Sequence, residues 1–141
     1  MARNVLIVDD SSVIRQMVRR LLDVAGLNVD EVFEAGNGIE ALAALHDHEI
    51  SVMLVDINMP CMNGLQLVER IKSNPKLQDI PLVIVSTEGS EQRIDQLKRM
   101  GISAYIRKPF TPEQLRDVLT PILGVSEHAI ADAQPADDSV F

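Results

Sequence analysis

Short apolar runs alternate with helical patterns five times over the first 124 residues of the chain. The run Val5–Val8 is continuously apolar, which is typical of a strand buried on both faces of a sheet. Over residues 13–22, apolar side chains recur at helical spacing and the arginines fall outside the apolar stripe. Strands that alternate with helices in this way predict a parallel sheet with right-handed crossovers.

The remaining elements follow the same rule. The further predicted strands are Val29–Glu34, Ser51–Asp56, Pro81–Val85 and Ala104–Ile106. The further predicted helices are Ile39–Leu45, Leu65–Ile71, Ser90–Met100 and one that opens at Thr111-Pro112. Pro121 lies inside this last helix, which should bend there or end early. The pattern predicts an α/β fold: a doubly wound, five-stranded parallel sheet with helices on both faces.

Composition excludes several classes of protein. The chain has 141 residues, of which 46% are hydrophobic, so one domain with a full core is expected. The net charge of −8 argues against binding to nucleic acid or to anionic membranes. No apolar stretch approaches the roughly 20 residues that span a bilayer. With Cys61 as its single cysteine the chain has no internal disulfide, and a cytoplasmic location is expected.

The charge is unevenly distributed along the chain. Residues 125–141 carry four acidic residues and no Lys or Arg, which is half of the net charge of −8. We therefore expect a folded domain over residues 1–124 and an acidic, disordered tail over residues 125–141. One route to order exists for this tail, since Val140-Phe141 could dock on a groove of the same or a neighbouring molecule.

Charged residues stand where three predicted strands end. Asp9-Asp10 closes the first apolar run, Asp56 closes the third strand, and Lys108-Pro109 follows the fifth. In an open α/β sheet, ligands bind at this edge. Three carboxylates brought together repel one another, which raises the pKa of at least one or recruits a cation, and oxygen ligands favour Mg²⁺. A lysine on the same rim suits a phosphoryl oxygen. The pattern indicates a site that places phosphate on a carboxylate.

These residues resemble those of a response-regulator receiver domain, and specifically the single-domain CheY-type regulators with their flavodoxin-like fold. The resemblance covers roughly residues 3–124. It rests on an ordered set of residues, namely Asp9, Asp10, Asp56, Ser86, Tyr105, Lys108 and Pro109. The loop MPCMNG, Met59–Gly64, is also similar to the loop that follows the acceptor in this family.

The resemblance implies an acceptor and a metal site. Asp56 is similar to the phosphoacceptor of the family. Asp9 and Asp10 resemble the acidic pair that holds Mg²⁺ together with Asp56, with Asp10 as a direct ligand and Asp9 acting more through water. The backbone carbonyl of Asn58 would complete the protein ligands.

The resemblance also implies a switch. Ser86 and Lys108 resemble the residues that bond the phosphoryl group, and the peptide bond between Lys108 and Pro109 is cis in such domains. Ser86 is preferred to Thr87 because it directly ends an apolar run. Tyr105 resembles the aromatic switch of the fifth strand, and plain core packing is the alternative interpretation.

The function implied is that of a phosphorylation-activated response regulator in a two-component system, with chemotaxis as one such system. Its donor would be a sensor histidine kinase, and its output would be binding of a downstream protein through the fourth helix, fifth strand and last helix. Such a domain promotes only its own phosphorylation and dephosphorylation. Two alternatives remain. The chain could be the receiver portion of a longer regulator with an output domain. An aspartyl-phosphate phosphohydrolase is less favoured, because it needs a second Asp where this chain has Asn58.

Overall fold

The structure, a computed structural model, describes residues 3–57, 64–87 and 91–124. The five strands are β1 (Asn4–Val8), β2 (Glu31–Ala35), β3 (Val52–Val55), β4 (Leu82–Ser86) and β5 (Ala104–Arg107). The five helices are α1 (Ser12–Ala25), α2 (Gly38–Asp47), α3 (Gly64–Lys72), α4 (Glu91–Arg99) and α5 (Pro112–Leu123). Strands and helices alternate throughout, as the hydrophobic pattern predicts.

All five strands are parallel and lie in the order β2-β1-β3-β4-β5. The chain passes from β1 outwards to β2 and then returns to the other side of β1 to form β3. The direction of winding therefore reverses between β1 and β3, which is where open sheets of this kind leave a crevice at the carboxyl ends of their strands. The predicted doubly wound fold is confirmed.

Two apolar layers, one on each face of the sheet, hold the helices. Alternate residues of β1 serve the two layers, because successive side chains of a strand point to opposite faces. Leu6 and Val8 pack with buried residues of α2, α3 and α4, whereas Val5 and Ile7 pack with those of α1 and α5. Burial on both faces explains the continuous apolar runs at residues 5–8 of β1, 52–55 of β3 and 82–85 of β4.

Local signals end most helices where expected. The Ser11 hydroxyl accepts a hydrogen bond from the Ile14 amide at the start of α1, and Gly26 ends that helix with a positive φ of 69°. Helix α5 does not end at Pro121 but continues to Leu123. Pro121 lies in the last turn, where the missing amide leaves only one carbonyl of the preceding turn without its partner.

The edge strand begins later than its sequence suggests. Val29–Glu34 was the expected strand, whereas β2 spans Glu31–Ala35. An edge strand is paired on one side only, so its extent depends on its single neighbour. The pairing starts where Asn4, the first residue of β1, lies opposite Glu31.

In the part of the chain that the structure describes, no helix is long and apolar enough to cross a membrane.

Glu34 ties α1 to the edge of the sheet. Its two carboxylate oxygens accept hydrogen bonds from the Nε atoms of Arg15, at 2.8 Å, and of Arg19, at 2.6 Å. Burial by itself raises the pKa of Glu34, but the hydrogen bonds and positive charges of the two arginines outweigh it, and the pKa lies below its usual value of 4.5.

A pH-dependent contribution to stability follows. Because the folded-state pKa of Glu34 is depressed, its contribution is present above the unfolded-state pKa and is lost as the pH falls through the folded-state value. We expect Glu34→Gln to lower the free energy of unfolding by about 1 kcal/mol or less at pH 7. The difference from the wild type should vanish at low pH. Urea unfolding at several pH values measures it, and Glu31→Gln, an exposed change on the same strand, is the control. A deficit that persists unchanged at pH 3 would contradict this role.

Candidate functional site

Backbone hydrogen bonds extend the sheet by one residue at the three positions where charge was predicted. The Asp9 amide donates to the Ala35 carbonyl at 3.0 Å, and the Asp56 amide donates to the Val8 carbonyl at 2.9 Å. The Lys108 amide donates to the Ser86 carbonyl at 2.9 Å. The backbone from which each of these side chains extends is therefore fixed by hydrogen bonds to the sheet. The structure brings the predicted Asp9, Asp56 and Lys108 to one edge.

Asp9 makes hydrogen bonds through both of its carboxylate oxygens. Its Oδ1 accepts a hydrogen bond from the Ser11 amide at 2.9 Å, and its Oδ2 accepts one from Lys108 Nζ at 2.8 Å. The residue is buried, so the lysine compensates a carboxylate that water reaches poorly. Asp9 is consequently held in one orientation before any ligand binds.

Three carboxylates can meet around one ion. Asp9, Asp10 and Asp56 each offer an oxygen atom, and these atoms lie within 4.8 Å of one another. Asp9 and Asp56 are buried, whereas Asp10 is exposed at the rim. An all-oxygen, negatively charged donor set with one open side fits a hard cation such as Mg²⁺, which retains several waters. Asn58, whose carbonyl was expected to join these ligands, lies outside the described residues.

Lys108 stands between two of the carboxylates. Its Nζ is 2.8 Å from Asp9 Oδ2 and 3.9 Å from Asp56 Oδ2, and the side chain is mostly buried. The peptide bond from Lys108 to Pro109 is cis, as the resemblance implies. The ammonium group is therefore close to Asp56 but hydrogen-bonded to Asp9, an arrangement that sequence spacing alone does not reveal.

The two candidate hydroxyls at the end of β4 differ in burial. Ser86 is fully buried, whereas Thr87 is exposed. Ser86 also lies one strand away from Asp56, because β4 pairs directly with β3. Ser86 is therefore the more buried of the two hydroxyls, and it belongs to the strand that pairs with β3, directly before Asp56.

Tyr105 lies in β5, opposite Ile84 of β4. Its ring packs against the apolar layer that includes Met53 and Leu97. Its hydroxyl is buried and has no hydrogen-bond partner within residues 3–57, 64–87 and 91–124. A buried hydroxyl without a partner costs roughly 1–3 kcal/mol, so this ring position is less favourable than packing alone would make it.

Two contributions to the site were missed from the sequence. Arg15 falls outside the predicted apolar stripe of its helix, yet its Nη1 donates to the Asp9 carbonyl oxygen at 2.6 Å. Gly64 was noted only as part of a loop motif, yet α3 begins there and its amide donates to the Ile57 carbonyl at 2.8 Å. A Cβ at residue 64 would lie 2.6 Å from Ile57 Cα and 2.8 Å from the Asp56 carbonyl oxygen. A glycine directly before an apolar helix was the available signal for this close approach.

Comparison with known proteins identifies the family. Residues 5–120 match the family described as the response regulator receiver domain. The chain belongs to this family. A Campylobacter jejuni protein named chemotaxis protein CheY homolog is 40% identical over 120 residues, which are 84% of this chain and 91% of that protein. Helicobacter pylori chemotaxis protein CheY1 is 37% identical over 123 residues, covering 86% of this chain and 98% of that protein.

Solved structures agree with this family. The structure of Vibrio cholerae chemotaxis protein CheY4 matches with a TM-score of 0.77 and 36% identity. The match covers 87% of this chain and 100% of that chain. The receiver domain described here is thus of the CheY type, and it is a response regulator of the two-component kind. The predicted family and fold are both confirmed.

Proposed function

We propose that Asp56 accepts a phosphoryl group from the phosphohistidine of a sensor histidine kinase. The observation that carries this proposal is the position of its carboxylate. Asp56 lies within 4.8 Å of the oxygens of Asp9 and Asp10, and its Oδ2 is 3.9 Å from Lys108 Nζ. Two carboxylates that could hold a cation and a lysine ammonium thus flank the same carboxylate, and transfer of an anionic group to an anionic acceptor requires such positive charge.

The transfer is a displacement at phosphorus. A carboxylate oxygen of Asp56 forms a bond to phosphorus, the bond between phosphorus and the histidine nitrogen breaks, and the imidazole keeps that electron pair and gains a proton. Mg²⁺ held by Asp9, Asp10, Asp56 and the Asn58 carbonyl would neutralise charge on the phosphoryl oxygens. Hydrolysis by water later restores the carboxylate and releases phosphate, so the domain resets itself.

Lys108 has a defined part in this step. Its ammonium group is hydrogen-bonded to Asp9 and needs to shift by only a short distance to contact an oxygen of a phosphoryl group on Asp56. Arg15 and the Ser11 amide keep Asp9 in position through contacts of their own. When Lys108 leaves Asp9 to contact the phosphoryl group, Asp9 therefore keeps its orientation.

Phosphorylation then alters the β4–β5 side of the domain. We assign Ser86 as the hydroxyl that donates to the phosphoryl group and Tyr105 as the ring that repacks. Support comes from the burial of Ser86 and from the Tyr105 hydroxyl, which lacks a hydrogen-bond partner among the described residues. Because the Tyr105 hydroxyl lacks a described hydrogen-bond partner in this ring position, a small gain in contacts in a second position can shift the equilibrium between the two.

The biological role proposed is regulation of chemotaxis, since the relatives at 37–40% identity are named chemotaxis proteins. A downstream protein would bind the surface formed by α4, β5 and α5. We further propose that residues 1–124 form the receiver and that residues 125–141 lie outside it. No turnover of a separate substrate is expected.

Phosphorylation by a small donor tests the proposal. With acetyl phosphate and Mg²⁺, the full chain should gain the mass of one phosphoryl group in intact-protein mass spectrometry, and it should gain none when the metal is removed by chelation. A parallel assay with p-nitrophenyl phosphate should show no sustained turnover. Steady hydrolysis of that ester, in place of stable single labelling, would indicate a phosphohydrolase.

Substitution of Lys108 should change Mg²⁺ binding and phosphorylation in opposite directions. Without the lysine charge, the three carboxylates repel one another more and attract a cation more strongly, so Lys108→Met should bind Mg²⁺ about tenfold more tightly. The same variant should be phosphorylated more slowly. Isothermal titration measures the first effect and mass spectrometry the second. Lys98→Met, a change of an exposed lysine in α4, should leave both unchanged. Weaker Mg²⁺ binding in Lys108→Met would contradict the assigned geometry.

A further inference from the structure

Helix α1 exposes an apolar stripe that no described part of the chain covers. Val13 is 72% exposed, Met17 42% and Val24 67%. The stripe also includes Arg20, so its four members are spaced by four, three and four residues and lie on one face of the helix. We call Val13, Met17, Arg20 and Val24 the α1 stripe. Exposed apolar residues are common singly, but a row along one helix face marks a surface that binds something.

The α1 stripe carries one uncommitted positive charge. Arg15 and Arg19 are paired with Glu34, which holds them on the side of α1 that faces the edge of the sheet. Arg20 is exposed and makes no hydrogen bond or ion pair with any residue that the structure describes. A partner for this stripe should therefore offer apolar side chains and negative charge together.

The described chain ends beside this helix. Helix α5 packs on α1, and the carbonyl oxygen of Gly124 accepts a hydrogen bond from the Asn28 amide at 3.0 Å. Asn28 lies just beyond Gly26, which ends α1. Gly124, the last described residue, is therefore held beside the segment that directly follows the carboxyl-terminal end of α1.

The segment that follows has matching chemistry. Residues 125–141 contain Glu127, Asp132, Asp137 and Asp138 but no Lys or Arg, and their larger apolar side chains include Ile130, Val140 and Phe141. Fully extended, this segment spans at most about 56–61 Å, whereas the 14 residues of α1 span about 21 Å. It is therefore long enough to run back along the whole stripe to Val13.

We propose that residues 125–141 dock on the α1 stripe of their own chain. The apolar side chains at residues 130, 140 and 141 cover Val13, Met17 and Val24, and an acidic residue pairs with Arg20. The exit point, the reach and the opposite charges all favour the chain's own segment over another protein. Since Val13 follows Asp10 by three residues, the docked segment would border the carboxylate cluster. This inference does not depend on phosphorylation.

Methyl NMR of the full chain tests the docking. In one variant Ile130, Val140 and Phe141 are replaced by serine. A second protein is truncated after Gly124, and its folding is expected because every described strand and helix ends before that residue. Both changes should shift the methyl signals of Val13, Met17 and Val24. They should leave Ile39 of α2 unshifted, which is exposed to a similar extent, 61%, but lies on the opposite face of the sheet.

The charge contribution has its own control. Arg20→Glu in the full chain should move the same methyl signals towards their positions in the truncated protein, and the same substitution in the truncated protein gives the direct effect of the change. Lys98→Glu on α4 should have no effect. Unchanged methyl signals after truncation would overturn the proposal. Signals whose shifts grow with protein concentration would assign the stripe to a second copy of the chain and would overturn it equally.

Discussion

Asp56→Ala is expected to abolish phosphorylation of the chain by acetyl phosphate. The variant removes the carboxylate that Lys108 and the other two acidic residues flank, and no other carboxylate of the cluster is placed in the same way. Asp9 is hydrogen-bonded to Lys108 and to the Ser11 amide, and Asp10 is exposed at the rim. Intact-protein mass spectrometry should show one added phosphoryl group on the wild type and none on the variant.

Two comparisons make this result specific to Asp56. Asp79→Ala changes an exposed aspartate far along the chain from the cluster and should be labelled like the wild type. Thermal unfolding should show that Asp56→Ala is folded, and without Mg²⁺ it should be at least as stable as the wild type because one of three neighbouring negative charges is gone. Equal labelling of Asp56→Ala and wild type would place the acceptor elsewhere.

Gly64→Ala is expected to be the most destabilising small substitution near the site. The added Cβ would lie 2.6 Å from Ile57 Cα and 2.8 Å from the Asp56 carbonyl oxygen, and both of these are backbone atoms that cannot rotate away. Overpacking of this kind costs typically about 1–3 kcal/mol. Urea unfolding should show a lower midpoint with an unchanged slope. Gly36→Ala is the matched control, since its nearest neighbours are side-chain atoms at 3.5 Å.

The same substitution should also impair phosphorylation. Relief of the contact requires the start of α3 to move away from the end of β3, and the atoms displaced belong to Asp56 and the residue after it. The phosphorylation rate of Gly64→Ala should therefore fall even at temperatures where the protein remains fully folded. Unfolding midpoints that are equal for the variants at residues 64 and 36 would show that the helix accommodates the methyl group.

The family, and the sheet edge at which Asp9, Asp56 and Lys108 lie together, could be predicted because they depend on local patterns. A strand buried on both faces needs a continuous apolar run, and each run here ends at the charged or hydroxyl residue that the sheet edge presents to a ligand. Asp9, Asp10, Asp56, Ser86 and Lys108 are therefore visible as candidates from their positions alone. Secondary-structure limits were less accurate at β2, whose length is decided by the extent of β1.

What the sequence by itself determined was the alternation of strands and helices and the charged groups that follow the strands, since both arise from residues close together in the chain. Only the tertiary structure decided that the hydrogen bond of Lys108 goes to Asp9, a residue 99 positions away, while Asp56 lies at the longer ion-pair distance of 3.9 Å. It also decided that Gly64 must lack a side chain and that Arg20 remains without a described partner while Arg15 and Arg19 share Glu34. These contacts depend on strand order and on the distance between packed elements, and a linear pattern of polar and apolar residues carries information about neither.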